Sequence, residues 1–215
     1  MSTCSLADDF EIAPGYGAKD WKGLTLDDED SSSADWATAI AILDGRIRSR
    51  FIDPAQLLVD SENGKVRGTN GFAVLAIDFL LIETIQGFFE GLIRHKRKSA
   101  TLFNGFLSTW PAFIACVPQV QDADEQAKIT EELANRVFEQ GRCALHHTGS
   151  TDRIIVRKSG DRMFVFHDDG RIEINRSLLH QELTKAFDDY LDALKDPTKA
   201  VLRKNLRQKM DHICS

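Results

Sequence analysis

The sequence predicts a mainly α fold with a small β-meander placed ahead of the C-terminal helices. Three observations carry this. Apolar residues recur at helical spacing over most of residues 34–147. The period then changes to short β-branched and aromatic runs between about 153 and 175, and helical spacing resumes to the end of the chain.

"SSADWATAIAILDGRIRSRFI" opens with Ser32-x-x-Asp35, which resembles a capping box, and places Trp36, Ile40, Ile42, Leu43 and Ile47 as the buried stripe of the first helix. Asp53-Pro54 predicts a stop and the start of a short second helix, because the residue before a proline avoids helical angles. "SENGKVRGTNG" is turn chemistry and reads as a loop. From Phe72 to about Leu92 the chain is apolar on nearly every face, so this helix is buried in the core or partly in a subunit interface. Glu83 lies in its middle. A buried carboxylate is costly alone, so Glu83 is expected to meet an Arg or His from another helix, as a structural ion pair or in support of catalysis.

"RHKRKS", Arg94 to Ser99, follows. Its cations read first as a complement to a helix C-terminus and second as a phosphate-contacting patch through Arg94, Lys96, Arg97 and Lys98. "ATLFNGFLSTWPAFIAC" gives one apolar helix or two short ones, broken near Trp110-Pro111. "DADEQAKITEELANRVFEQGRCALHH" predicts a long helix burying Ile129, Leu133, Val137, Ala144 and Leu145, with Gly149 as the residue that ends it. "DRIIVRKSG", "DRMFVFHDDG" and "RIEINRS" predict the meander, "SLLHQELTKAFDDYLDALKD" an amphipathic helix, and "TKAVLRKNLRQKM" a basic surface helix with Val201, Leu202, Leu206 and Met210 on its apolar side.

At 215 residues the chain can bury a core without staples. Cysteines at 4, 116, 143 and 214 show no close pairing, which points to a reducing, cytoplasmic setting. No signal sequence is read, and Asp78, Glu83 and Gln86 interrupt the most apolar stretch, so no membrane span is expected. Residues 1–33 hold eight acidic side chains and two lysines and read as an acidic, flexible leader. The remaining 182 hold 25 of each sign, so the formal charge of -6 does not argue against a polyanionic partner for residues 34–215.

No P-loop, dinucleotide-binding, zinc-protease or nucleophile-elbow motif is present. Chemistry concentrates in "EQGRCALHHTGS". Cys143 and His146 have the i, i+3 spacing of two metal ligands, but further ligands are missing and no metal or other cofactor is expected. Cys143 and His147 could touch at i, i+4, yet no orienting acid or oxyanion hole accompanies them. The third pairing, Arg142 and His147, resembles the Arg-x4-His motif of HEPN-domain ribonucleases. The preceding apolar helix with its internal acid, the motif's place at a helix end and the helix that follows resemble the HEPN bundle over roughly residues 34–195.

The resemblance implies a homodimeric, metal-independent endoribonuclease, acting by attack of the ribose 2′-OH on the adjacent phosphate to leave a 2′,3′-cyclic phosphate. Such a protein could serve as a defence or toxin-antitoxin effector, with a cognate antitoxin or regulatory protein as partner. A histidine suits the proton transfers, and an arginine the charged phosphorane. Dimerisation would supply two Arg-His sets to one cleft, one histidine acting as base and the other as acid. The alternative is a non-catalytic HEPN-like module that binds RNA, nucleotide or protein. On a regular helix His146 lies about 40° from Arg142 and His147 about 140°. The motif selects His147 and leaves His146 as a positioning residue. Two departures from the family pattern stand out: Cys143 follows the arginine where a polar residue is common, and Gly149 replaces the tyrosine found in nucleotidyl-modified toxins.

Overall fold

The computed structural model describes residues 8–28, 34–61, 70–148 and 153–215. Helices dominate, and the three-stranded sheet lies ahead of the C-terminal helices, as expected. The chain divides into two compact units: residues 1–54, 87–95 and 185–215 form the first, and 55–86 with 96–184 the second.

In the first unit, β1 (Glu11–Ala13) and β2 (Tyr16–Gly17) form a hairpin that runs into α1 (Ala18–Lys22). The expected flexible leader is therefore folded over part of its length. Its buried positions, Ile12, Ala13, Ala18 and Trp21, are too unevenly spaced to register as a period, which is why composition alone reads as a tail. Asp20 accepts from the Gly17 N–H at 2.7 Å and so closes the start of α1. α2 (Ala34–Ile47) buries Trp36, Ile40, Ile42, Leu43 and Ile47, the stripe read from the sequence. Ser32 of the expected capping box lies outside the described residues. The carboxylate of Asp35 accepts instead from the backbone of Thr25, at 2.7 Å.

The expected stop at Asp53-Pro54 does not occur. A π-helical turn, Arg48–Ile52, connects α2 directly to α3 (Asp53–Asp60), and Asp53 stays helical. The wider turn sends the Asp53 N–H to the Arg48 carbonyl, five residues back, and gives room to the proline ring that would crowd an α-helical carbonyl.

The largest departure in this unit is α10 (Ala200–Ile213). Its buried residues are Arg203, Leu206, Lys209 and Met210, while Val201 is exposed, so two cations sit on the inner face of a helix read as an ordinary basic surface helix. Arg203 explains itself by its partners. It donates to the carbonyls of Leu194 at 2.9 Å and Lys195 at 3.1 Å, and its guanidinium lies 4.7 Å from the Trp36 ring centroid. Those carbonyls are the free acceptors at the end of α9 (Arg176–Lys195), so one cation caps a helix and stacks on an aromatic face.

In the second unit, α4 (Gly71–Phe89) supplies the core with Val74, Leu75, Phe79, Leu81 and Ile82. By length and composition α4 could cross a membrane. Its two internal acids are both buried and both paired, Asp78 with His180 at 2.9 Å and Glu83 with Arg142, which is how a core helix tolerates them. α5 (Ser99–Thr109) and α6 (Pro111–Ile114) meet at Trp110, the break expected before Pro111. α7 (Ala123–Val137) is capped by Asp122, whose side chain accepts from the Glu125 N–H.

The strands β3 (Ile154–Arg157), β4 (Phe164–Phe166) and β5 (Ile172–Asn175) correct the expected meander, since their order is β3-β5-β4 and β3 runs parallel to β5. Asp168-Asp169-Gly170 makes a true hairpin, with Gly170 at φ +85°, whereas residues 158–163 form a longer connection that carries β4 to the far edge. β5 takes the centre because Ile172 and Ile174 are both fully buried.

Candidate functional site

The stretch Phe138–Cys143 is a second π-helical segment, followed by the single turn α8 (Ala144–Thr148). The long helix expected through His147 thus runs on to Thr148, with a π-helical segment set inside the motif. Phe138 and Gly141 face the core, while Ala144 and Leu145 are only half-buried, because the extra residue in the π turn rotates everything beyond it. Gly141 is required by proximity: a Cβ there would stand 2.9 Å from Cε2 of the buried Phe79. Phe79 in turn packs edge-on against Phe103 with centroids 5.4 Å apart.

With Gly141 pressed on Phe79, one turn along α4 from it stands Glu83, and Arg142 reaches it. Arg142 Nε donates to Glu83 Oε1 at 2.5 Å, and Ser99 Oγ donates to Glu83 Oε2 at 2.8 Å. Arg142 Nη2 lies 3.5 Å from Ser99 Oγ, and its guanidinium carbon is 6.0 Å from the Phe138 ring centroid. Both ends of the ion pair are largely buried, with side-chain exposures of 16% for Arg142 and 9% for Glu83. The sequence reading of Glu83 as a carboxylate met by a cation of another helix holds. Ser99, the first residue of α5, is the third member, and its only signal in the sequence was its place after a basic run.

His146 and His147 are both exposed, and their rings meet edge to face with centroids 5.1 Å apart. Among the described residues neither histidine is a hydrogen-bond partner of Arg142. The geometry thus separates a guanidinium held from behind by Glu83 and Ser99 from two imidazoles open to solvent. Gly149, expected to end this helix, lies outside the described residues. Cys143 is half-buried, and burial pushes its thiol up, opposed by Arg142 and reinforced by Glu139 and Glu83, so the thiolate that a nucleophile or metal ligand needs is disfavoured. Among the described residues no three His, Cys, Asp or Glu side chains gather as a metal-binding group.

The basic run stands elsewhere than expected. α4 ends at Phe89 and Gly91 turns the chain at φ +61°, so the cations occupy the loop that leads into α5, with Arg97 itself at φ +62°. Arg94 belongs to the first unit, while Lys96, Arg97 and Lys98 belong to the second; all four are exposed. They do not cap the end of α4, because glycine closes that helix first.

A second buried pair was not singled out from the sequence. Asp78 and His180 are essentially inaccessible, and Asp78 Oδ2 and His180 Nε2 have no hydrogen-bond partner among the described residues. Burial pushes the Asp78 carboxyl up, and the His180 hydrogen bond opposes it. Beside β4 lies a hollow of about 760 Å³, lined by Cys116, Pro118, Met163, Phe166 and Glu182 among others. None of the motif residues faces it.

Fold and site together define a mainly α-helical protein with a small mixed sheet and an arginine-histidine segment at a helix end. No family model, curated protein or solved structure matches the chain.

Proposed function

We propose that this protein is a metal-independent endoribonuclease of HEPN type, working as a homodimer through Arg142 and His147. The observation that carries the reading is the division of labour in residues 138–147. Arg142 is anchored through one edge of its fork, and a turn further on His147 is exposed, where a substrate could reach it.

In this reading Glu83 and Ser99 orient Arg142, whose remaining N–H groups stabilise the charge that develops on the phosphorane. His147 takes the 2′-OH proton, and its counterpart on a second copy protonates the leaving 5′ oxygen, because one imidazole cannot be base and acid at the same instant. His146, in edge-to-face contact, holds the His147 ring. DNA, lacking the 2′-OH, is spared. An antitoxin-like regulator would act by covering the exposed histidines.

The test is incubation of purified protein with total RNA in the presence of a chelator, with chemical analysis of the ends. Cyclic-phosphate ends that vanish in Arg142→Ala and His147→Ala support the reading; cleavage unchanged in both removes the assignment. One observation favours a second reading, a non-catalytic module that binds RNA, nucleotide or protein: the Nε edge of Arg142 is committed to Glu83, and little of its side chain is exposed. RNA binding without new ends in the same experiment selects that alternative.

A further inference from the structure

Lys209 in the first unit has the surroundings of a reactive amine. The residue is 6% exposed, on the inner face of α10. Its Nζ donates to the Leu92 carbonyl at 3.1 Å, lies 2.6 Å from His95 Nε2 and stands 4.9 Å from the Phe88 ring centroid. No carboxylate is among these contacts. Its charged surroundings are Arg46 from α2, which disfavours the ammonium, and Glu90 from the loop after α4, which favours it; burial is the largest influence, and together they hold the amine at about 8. Arg46, half-buried, is itself pulled down to about 10 by burial and by the exposed Arg50, with Cys214 opposing.

The cradle is built around the amine. At Gly87 a Cβ would stand 2.6 Å from Lys209 Nζ and 2.6 Å from His95 Cε1. Only glycine at this helical position lets the lysine and the histidine meet. His95 is half-buried, and its neighbours Ile93 and Arg94 are exposed, so the pair is screened from solvent by one short loop.

We propose that Lys209 is a covalent capture site for a small carbonyl compound bearing an anionic group, an oxo acid, with His95 as the proton-transfer partner. The amine lone pair attacks the carbonyl carbon while His95 Nε2 takes a proton from nitrogen. The protonated imidazole returns that proton to oxygen to give a carbinolamine; it then carries the remaining N–H proton to the hydroxyl, water departs, and a neutral imine remains. Carbonyl compound and amine thus give imine and water with no change of oxidation state. Lys209 with the nearby Arg46 selects the anionic group, and a lysine desolvated beside another cation is the arrangement that suits Schiff-base chemistry. This site is independent of the ribonuclease reading and is tested without RNA.

The experiment treats the full chain with glyoxylate and cyanoborohydride, which reduces the imine to a stable carboxymethyl adduct, and follows each lysine by peptide mass spectrometry at pH 7. The exposed Lys185 is the internal reference. An amine near 8 is roughly one-tenth neutral at pH 7 and an ordinary lysine under about one part in 1,000. After allowance for the weaker nucleophilicity of a less basic group, Lys209 is expected to react at least about tenfold faster than Lys185. Formaldehyde in place of glyoxylate should narrow that ratio; an equal or wider ratio overturns the selection for an anion. His95→Gln, which keeps a hydrogen-bonding side chain, should slow the Lys209 adduct by about tenfold or more, and an unchanged rate overturns the role of His95. Labelling of Lys209 no faster than Lys185 in the unmodified sequence overturns the proposal, with no variant required to fold.

Discussion

Replacing Glu83 by Gln separates what holds Arg142 in place from what would act on a substrate. The change keeps shape but removes the charge facing a guanidinium 2.5 Å away, where both side chains are largely buried. A lost charge-assisted hydrogen bond costs about 1.5–3 kcal/mol, and breaking a buried pair about 3–5 kcal/mol, so about 3 kcal/mol is expected. For a chain of this size that is a fall of about 6–12 °C in melting temperature. His147→Ala, at an exposed position, should change stability by no more than about 0.5 kcal/mol. Calorimetry and urea titration of both variants give the stabilities, and RNA cleavage at a temperature where both are folded gives the activities. On the proposed ribonuclease reading, Glu83→Gln should reduce cleavage by about tenfold through misorientation of Arg142, and His147→Ala should abolish it. A Glu83→Gln protein as stable as the parent would refute the claim that the ion pair fixes the motif. The double variant Glu83→Gln/Arg142→Met should be more stable than the sum of its single changes implies, because it removes the uncompensated charge.

Three further outcomes follow from particular contacts. Arg203→Met should destabilise the first unit by about 3 kcal/mol, since two helix-end carbonyls lose their donor and Trp36 its cation; denaturant titration reads this, and a loss under about 1 kcal/mol counts against the cap. Gly141→Ala should cost about 1–3 kcal/mol despite alanine's better helix propensity, because its Cβ would press on a buried ring, and a gain in stability would show that Phe79 gives way. Lys209 gives a signed pH dependence. Its folded value lies near 8, below that of the unfolded chain, so its contribution to stability is fully present above about 10.5 and lost as pH falls through about 8. Lys209→Met should therefore gain on the parent by about 3 kcal/mol between pH 10.5 and pH 7, read from paired urea titrations, and a pH-independent difference would place the amine in an ordinary environment.

Much of the helical architecture is legible in the sequence because long periodic segments average over many residues. The stripe of α2, the break at Trp110-Pro111 and the need of Glu83 for a cation were all readable from residue type and spacing. What escaped has a common physical origin in long-range partners. Trp21 and Ile12 gain their burial from helices far along the chain, so no local pattern marks the β1-β2 hairpin as folded. Arg203 and Lys209 face inward because particular acceptors wait there, and an amphipathic pattern reads any cation as outward-facing. The two π turns hide for a different reason. Each adds one residue to a helix without changing composition, and one residue is enough to move Arg142 out of the 100° progression on which the comparison of His146 with His147 rested. Strand existence was legible and strand order was not, since turn chemistry distinguishes a hairpin from a longer connection but not where the next strand lands.

The discontinuity of the first unit bears on how the chain is made. Its residues come from 1–54, 87–95 and 185–215, and the contacts that close it, Trp21 to Asp211 and Arg203 to Trp36, join the first helices to the last one. On a ribosome the second unit is complete in sequence once Thr184 has emerged, whereas Trp21 of α1 and Trp36 of α2 must wait for α10 to bring Asp211 and Arg203 to them. Early segments of the chain are thus the last to be sealed, and the acidic side chains clustered along residues 8–30 give that waiting segment the mutual repulsion that opposes premature association.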